Sequence, residues 1–82
     1  MGFTRIMIKY AIKSQMSGEY YSGYHNEYVD NLENAMLYNS LLGAQTIWNM
    51  ILKNDPHNHY KLYIVKIQVD LIDLGEVSYK ED

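Results

Sequence analysis

The sequence predicts an α+β fold. A small antiparallel sheet, made of a β-hairpin, a short strand and a long C-terminal strand, carries one helix on one face, in the order ββ(β)αβ. Three observations carry this reading. Residues 3–13 and 60–72 alternate in character, as strands with two distinct faces do. Residues 40–53 instead repeat their apolar positions every three or four residues. Between the first strand and a second aromatic run lies a glycine-bearing turn.

In the first run Ile6, Ile8, Tyr10 and Ile12 share one side. Arg5, Lys9 and Lys13 share the other with Met7 and Ala11, which predicts a strand with one wet face. Ser14 to Gly18 read as a turn, because Gly18 takes positive φ without a Cβ clash. Residues 19–24 are expected to form the second strand of the hairpin, broken by Gly23 to Asn26. The polar stretch 27–34 is anchored by Tyr28, Val29 and Leu32, and Asp30 or Asn31 is placed to begin a short helical turn. Ala35 to Tyr38 are a candidate short strand.

Ser40 is a natural N-cap for the helix, since its hydroxyl oxygen can accept from a free backbone N–H of the first turn. Leu41, Ala44, Ile47, Trp48 and Ile51 form the apolar face, with Gln45, Asn49 and Lys53 opposite. Trp48 and the scattered methionines read as core and gap-filling residues. Asn54-Asp55-Pro56 should end the helix, with Asn54 as a left-handed cap. Residues 60–72 put Tyr63, Val65, Ile67, Val69 and Leu71 on one side. Such a strand spans on the order of 40 Å at roughly 3.3 Å per residue, which predicts a bend or an overhang that pairs with another chain. Gly75 is expected to end it, leaving 76–82 as a polar tail. The whole chain, 1–82, reads as a single domain.

The composition narrows the function. A chain of 82 residues buries only about 60–65 % of its unfolded surface, so a homo-oligomer or a partner is a reasonable source of extra stability. With no cysteine there is no disulfide and no thiolate chemistry, which fits the cytoplasm. The net charge of −3 and seven dispersed basic residues argue against a nucleic-acid partner. No signal peptide or transmembrane run is visible, so no membrane partner is expected.

The densest feature is aromatic. Tyr20, Tyr21, Tyr24 and Tyr28 fall within nine positions, among glycine, serine and asparagine. Such a mixture suits a recognition surface, because tyrosine offers a large ring and a polar tip and orders at low entropic cost. Packing within the sheet is the competing reading. On the first, Tyr21, Tyr24 and Tyr28 form a partner surface, with Glu19, Glu27 and Asp30 steering a basic partner.

The run from Gly18 to Tyr24, then Tyr28 to Tyr38, then a helix and a closing strand, resembles small uncharacterised accessory proteins of bacteriophages and prophages of Gram-positive bacteria. The resemblance covers roughly residues 5–70, and its motifs are structural. Tyr28 stands where tryptophan is common in those proteins, and the last strand is longer. The resemblance implies a phage-type protein that binds and redirects a host factor. It transfers no catalytic residue.

Chemistry has few footholds. His57 and His59 lie two apart and with Asp55 could offer metal ligands, but they read as a polar loop after proline, and no metal or other cofactor is expected. Glu19, Glu27, Asp30 and Glu33 read as a solvated acidic edge rather than a converging acid–base pair. No glycine-rich phosphate loop and no nucleophile elbow is present. The expected function is non-enzymatic: binding to a host protein and modulating or inhibiting it, in host takeover or anti-defence. The alternative is a self-associating module that dimerises through the long C-terminal strand.

Overall fold

The computed structural model describes residues 5–24, 27–57, 61–72 and 75–82. Its elements are β1 (Arg5–Ser14), β2 (Tyr20–Tyr21), β3 (Tyr28–Val29), α1 (Leu41–Asn54), β4 (Leu62–Ile72) and β5 (Glu76–Glu81). The strands form one antiparallel sheet in the order β3-β2-β1-β4-β5, with α1 packed against it. The molecule measures 51 × 23 × 20 Å.

The register between β1 and β4 decides how the core is built. Ile12 lies opposite Ile64, Ala11 opposite Val65, and Met7 opposite Val69. Even-numbered residues therefore face even-numbered ones. The isoleucine row of β1 and the Val65-Ile67-Val69 row of β4 consequently point to opposite sides of the sheet. Each face needs its own cover.

On one face α1 supplies it. Ile12, Ile51 and Leu62 are buried there, with Ile47, Trp48 and Tyr21 packed around them. On the far face Ala11, Tyr20, Val65, Ile67 and Val69 form a second buried cluster, covered by Leu32, Ala35 and Leu37 from the segment before α1 and by Tyr79 from β5. The sequence reading expected one core face and one wet face. Both faces are covered instead: Met7 and Ala11 pack inward, whereas Ile6 is 59 % exposed.

The hairpin is present but its second strand is short. Ser14 N–H donates to Glu19 O at 2.8 Å, and Gly18 turns the chain at φ +76°. Strand pairing then stops at Tyr21 instead of running to residue 24, because Gly23 also takes positive φ (+83°) and turns the chain away. A Cβ on Gly23 would sit 3.1 Å from the Met36 side chain, so glycine is needed there on both counts. The edge of β1 that β2 leaves open is taken by Tyr38. Tyr10 and Tyr38 exchange backbone hydrogen bonds of 2.9 and 2.8 Å. The candidate strand at 35–38 thus reduces to a single bridge. Asn31 does begin a turn, accepting from the Asn34 N–H at 3.0 Å.

Ser40 caps α1 as its chemistry predicts, accepting from Gly43 N–H at 3.0 Å. At the other end the cap is Asp55 at φ −138°, not a left-handed Asn54. Pro56 excludes the α region for the residue before it, so the helix runs through Asn54 and Asp55 takes the break.

The residues read as a polar tail are β5. Gly75, at φ +80°, lies just before it, and Glu76–Glu81 pair with Ile67–Ile72. Glu81 is the reason an outwardly polar segment docks. Its Oε1 accepts from Lys13 Nζ at 2.8 Å and from the Tyr20 hydroxyl at 2.6 Å, clasping β5 to β1 and β2 across β4.

Candidate functional site

Helix α1 carries more apolar surface than the sheet can cover. Its inward stripe is Ala44, Ile47, Trp48 and Ile51. Leu41 and Leu42 are adjacent, so on a helix they point about 100° apart and cannot both follow that stripe. Leu42 is 73 % exposed and Leu41 46 %; Met50, also out of phase, is half exposed.

Among the described residues, two grooves flank the helix. The larger, about 280 Å³, lies between α1 and β4 and is lined by Leu41, Gln45, Trp48, Leu62, Tyr63 and Ile64. Its floor is fixed by Trp48, whose Nε1–H donates to Leu62 O at 3.0 Å. The indole's polar edge is thereby satisfied while its ring lines the groove. The second groove, about 180 Å³, is bounded by Tyr21, Ile47, Met50 and Asn54.

The larger groove lies beside open sheet backbone. Lys66 O accepts from Asp82 N–H and Leu62 O from the Trp48 indole, so the even-numbered residues of β4 turn their backbone groups away from β1. β5 pairs with β4 only over Ile67–Ile72. Among the described residues no strand lies beside β4 at Tyr63–Val65, where Ile64 presents its N–H and C=O.

The residues expected to form a partner surface divide. Tyr21 and Tyr28 stack with ring centroids 5.7 Å apart at 58° and pack against the helix-face core. Tyr21 keeps one edge in the smaller groove. Tyr24 is 63 % exposed. Glu27 and Asp30 are exposed on either side of β3, and Glu19 is half-buried in the hairpin turn. The fourth tyrosine of the run, Tyr20, is buried on the far face. His57 is exposed, while His25 and His59 lie outside the described residues. Among the described residues no three His, Cys, Asp or Glu side chains converge as a metal site.

Lys13, Tyr20 and Glu81 form a tight polar cluster. Burial pushes the Glu81 pKa up, but hydrogen bonds from Lys13 and Tyr20 and the Lys13 charge outweigh it and hold the carboxyl below its ordinary value. Lys13 is raised, chiefly by its hydrogen bond to Glu81. Tyr20 is raised by burial and then by donating to Glu81. All three partners are satisfied by one another, which makes the cluster a tether rather than a reactive centre.

The helix periodicity places Leu41 and Trp48 in the core and gives Leu42, Met50 and Tyr63 no role in a site. The available signal was phase: Leu42 and Met50 are large apolar residues off the helix stripe.

Comparison with protein-family models, with curated protein sequences and with solved structures finds no match to this chain. No helix among the described residues is long and apolar enough to cross a membrane.

Proposed function

We propose that this protein is a non-enzymatic binding module that seizes an extended, apolar segment of another protein at the groove between α1 and β4. The carrying observation is the coincidence of three features: an apolar groove, the half-exposed Leu41 on its rim, and a short stretch of open β4 edge beside it. At about 280 Å³ the groove falls below the range of roughly 300–1,000 Å³ usual for small-molecule sites, and suits a single bulky side chain. An extended segment that sets one such side chain in the groove can also bond to the backbone of Ile64, the strand-addition mode of peptide recognition. Tyr21, Tyr24 and Tyr28, with Glu19, Glu27 and Asp30, offer a second contact area on the hairpin side of α1.

The biological setting of this reading is a phage-type accessory protein acting in the cytoplasm of its host, binding a host factor and modulating or inhibiting it. The hairpin and aromatic segments that resemble such proteins support that setting.

Peptide display tests the mode of binding. Displayed random peptides should yield extended sequences with one bulky apolar anchor, and their binding should change Trp48 fluorescence. Leu41→Asp places a charge in the groove yet suits the first helical turn, where the helix dipole favours an acid. It should abolish binding, and Ile64→Ala, which trims the groove wall on the helix face, should weaken it, whereas Tyr24→Ala should weaken it little. A selected peptide that binds Leu41→Asp as tightly as wild type would sink the reading.

A further inference from the structure

We infer that the exposed edge of β5 pairs with the same edge of a second copy of this chain, about a two-fold axis at Ser78, to give a continuous ten-stranded sheet. The strand read from sequence as the dimerising element, β4, lies inside the sheet: β1 pairs with Leu62–Leu71 and β5 covers Ile67–Ile72 on its other edge. The outermost strand on that side is β5, six residues long, against only two residues for β3 on the other edge. Nothing along Glu76–Glu81 guards the edge by proline or bulge.

The parity of the backbone limits how two copies can meet. Asp82 N–H donates to Lys66 O, so the even-numbered residues of this strand bond to β4 and Val77, Tyr79 and Glu81 turn their N–H and C=O outward. A two-fold antiparallel pairing must set odd residues opposite odd ones, which places its axis at a residue of the strand; an axis at Lys80 sets that lysine against its own copy, which leaves Val77, Ser78 and Tyr79.

The side chains separate these three. With the axis at Tyr79, Glu76 faces the second copy's Asp82 and Val77 faces its Glu81, setting acid on acid and acid on an apolar side chain. With the axis at Val77, Tyr79 faces only Gly75. With the axis at Ser78, Glu76 faces the second copy's Lys80, Val77 faces its Tyr79, and Ser78 faces Ser78. By symmetry each of the first two contacts occurs twice. The ion pairs fall on the helix face and the apolar pairs on the far face, at the roughly 4.5–5.5 Å separation where cross-strand pairs interact. Glu76, Val77, Ser78 and Lys80 are exposed in the single chain and free to take these positions. Glu81, clasped by Lys13 and Tyr20, holds the strand flat for pairing.

Sedimentation and native mass spectrometry test this with paired charge reversals. Wild type should show a concentration-dependent dimer. Lys80→Glu and Glu76→Lys should each turn both ion pairs into repulsions and weaken self-association on the order of tenfold or more. An equimolar mixture of the two variants should recover a 1:1 heterodimer, because each then meets its opposite charge. The double exchange should recover a homodimer. Recovery in the mixture also shows that both variants are folded. A wild type that stays monomeric up to millimolar concentration overturns the proposal and leaves this edge to solvent or to another protein. So does a dimer that both single reversals leave unchanged, or a mixture that forms no heterodimer.

Discussion

The hydroxyl of Tyr20 donates to Oε1 of Glu81 at 2.6 Å, joining two residues 61 positions apart in the chain. The same oxygen accepts from Lys13 Nζ at 2.8 Å. One carboxylate oxygen thus ties the last strand to the first two, over the top of β4. Glu81→Gln keeps the shape and removes the charge. It should cost about 1 kcal/mol, the value expected for a partly buried charged hydrogen-bond pair screened by solvent, or roughly 4–8 °C in Tm for a domain of this size. Hydrogen exchange should quicken first across Glu76–Glu81, before the β1–β4 ladder responds. Uniform acceleration over the whole sheet would show that β5 is not held by this clasp.

The same cluster sets a pH profile. Glu81 has its folded pKa below its unfolded one, so its contribution is complete above the ordinary carboxylate range and is lost as pH falls through the folded value. Lys13 and Tyr20 have raised values, so what they contribute is complete below their ordinary range near 10 and lost as pH rises beyond it. Burial, and then the neighbouring Tyr21, push Tyr38 up to about 12, which adds to the alkaline loss between about 10 and 12. Denaturant midpoints should therefore fall at both extremes. The acid limb should be shallower in Glu81→Gln, and an unchanged acid limb would remove Glu81 from the account.

Two opposed cores predict two similar penalties. Ile12 and Ile67 are both fully buried, on opposite faces of the sheet. Ile12→Ala and Ile67→Ala should each cost about 3 kcal/mol, within the range for deleting a buried isoleucine side chain. A single-faced core would make one of them nearly neutral. Urea unfolding of the two variants decides between these pictures.

Ser40→Ala should cost about 1 kcal/mol, since it leaves the Gly43 N–H without its side-chain acceptor. Ser40→Asp should recover most of the loss. Equal stability of all three would mean that water replaces the cap at no cost.

The legible parts of the chain were those governed by local rules. The α1 stripe, the Ser40 cap, the Gly18 turn and the alternation of β1 and β4 all follow from periodicity and from single-residue conformational preference. What could not be read was register. Whether Ile12 meets Ile64 or Val65 is one residue of slip, and that slip decides if the apolar rows share a face or oppose each other. Strand β5 escaped for a related reason: Glu76-Val77-Ser78-Tyr79-Lys80-Glu81 alternates, but its docking rests on Glu81 meeting Lys13 and Tyr20, a contact no local pattern reveals. The tyrosine run shows the same limit. Tyr20 and Tyr21 are neighbours in sequence, yet they enter different cores because they fall on opposite faces of one short strand.

The groove beside Trp48 is the centre of the functional account, and amide chemical-shift mapping reaches it most directly. Wild-type protein titrated with an extended peptide bearing one bulky apolar anchor should show its largest shifts at Leu41, Gln45, Trp48 (indole N–H included), Tyr63 and Ile64, with smaller ones near Tyr21. Shifts confined to Tyr24, Glu27 and Asp30, with the groove residues unmoved, would contradict it.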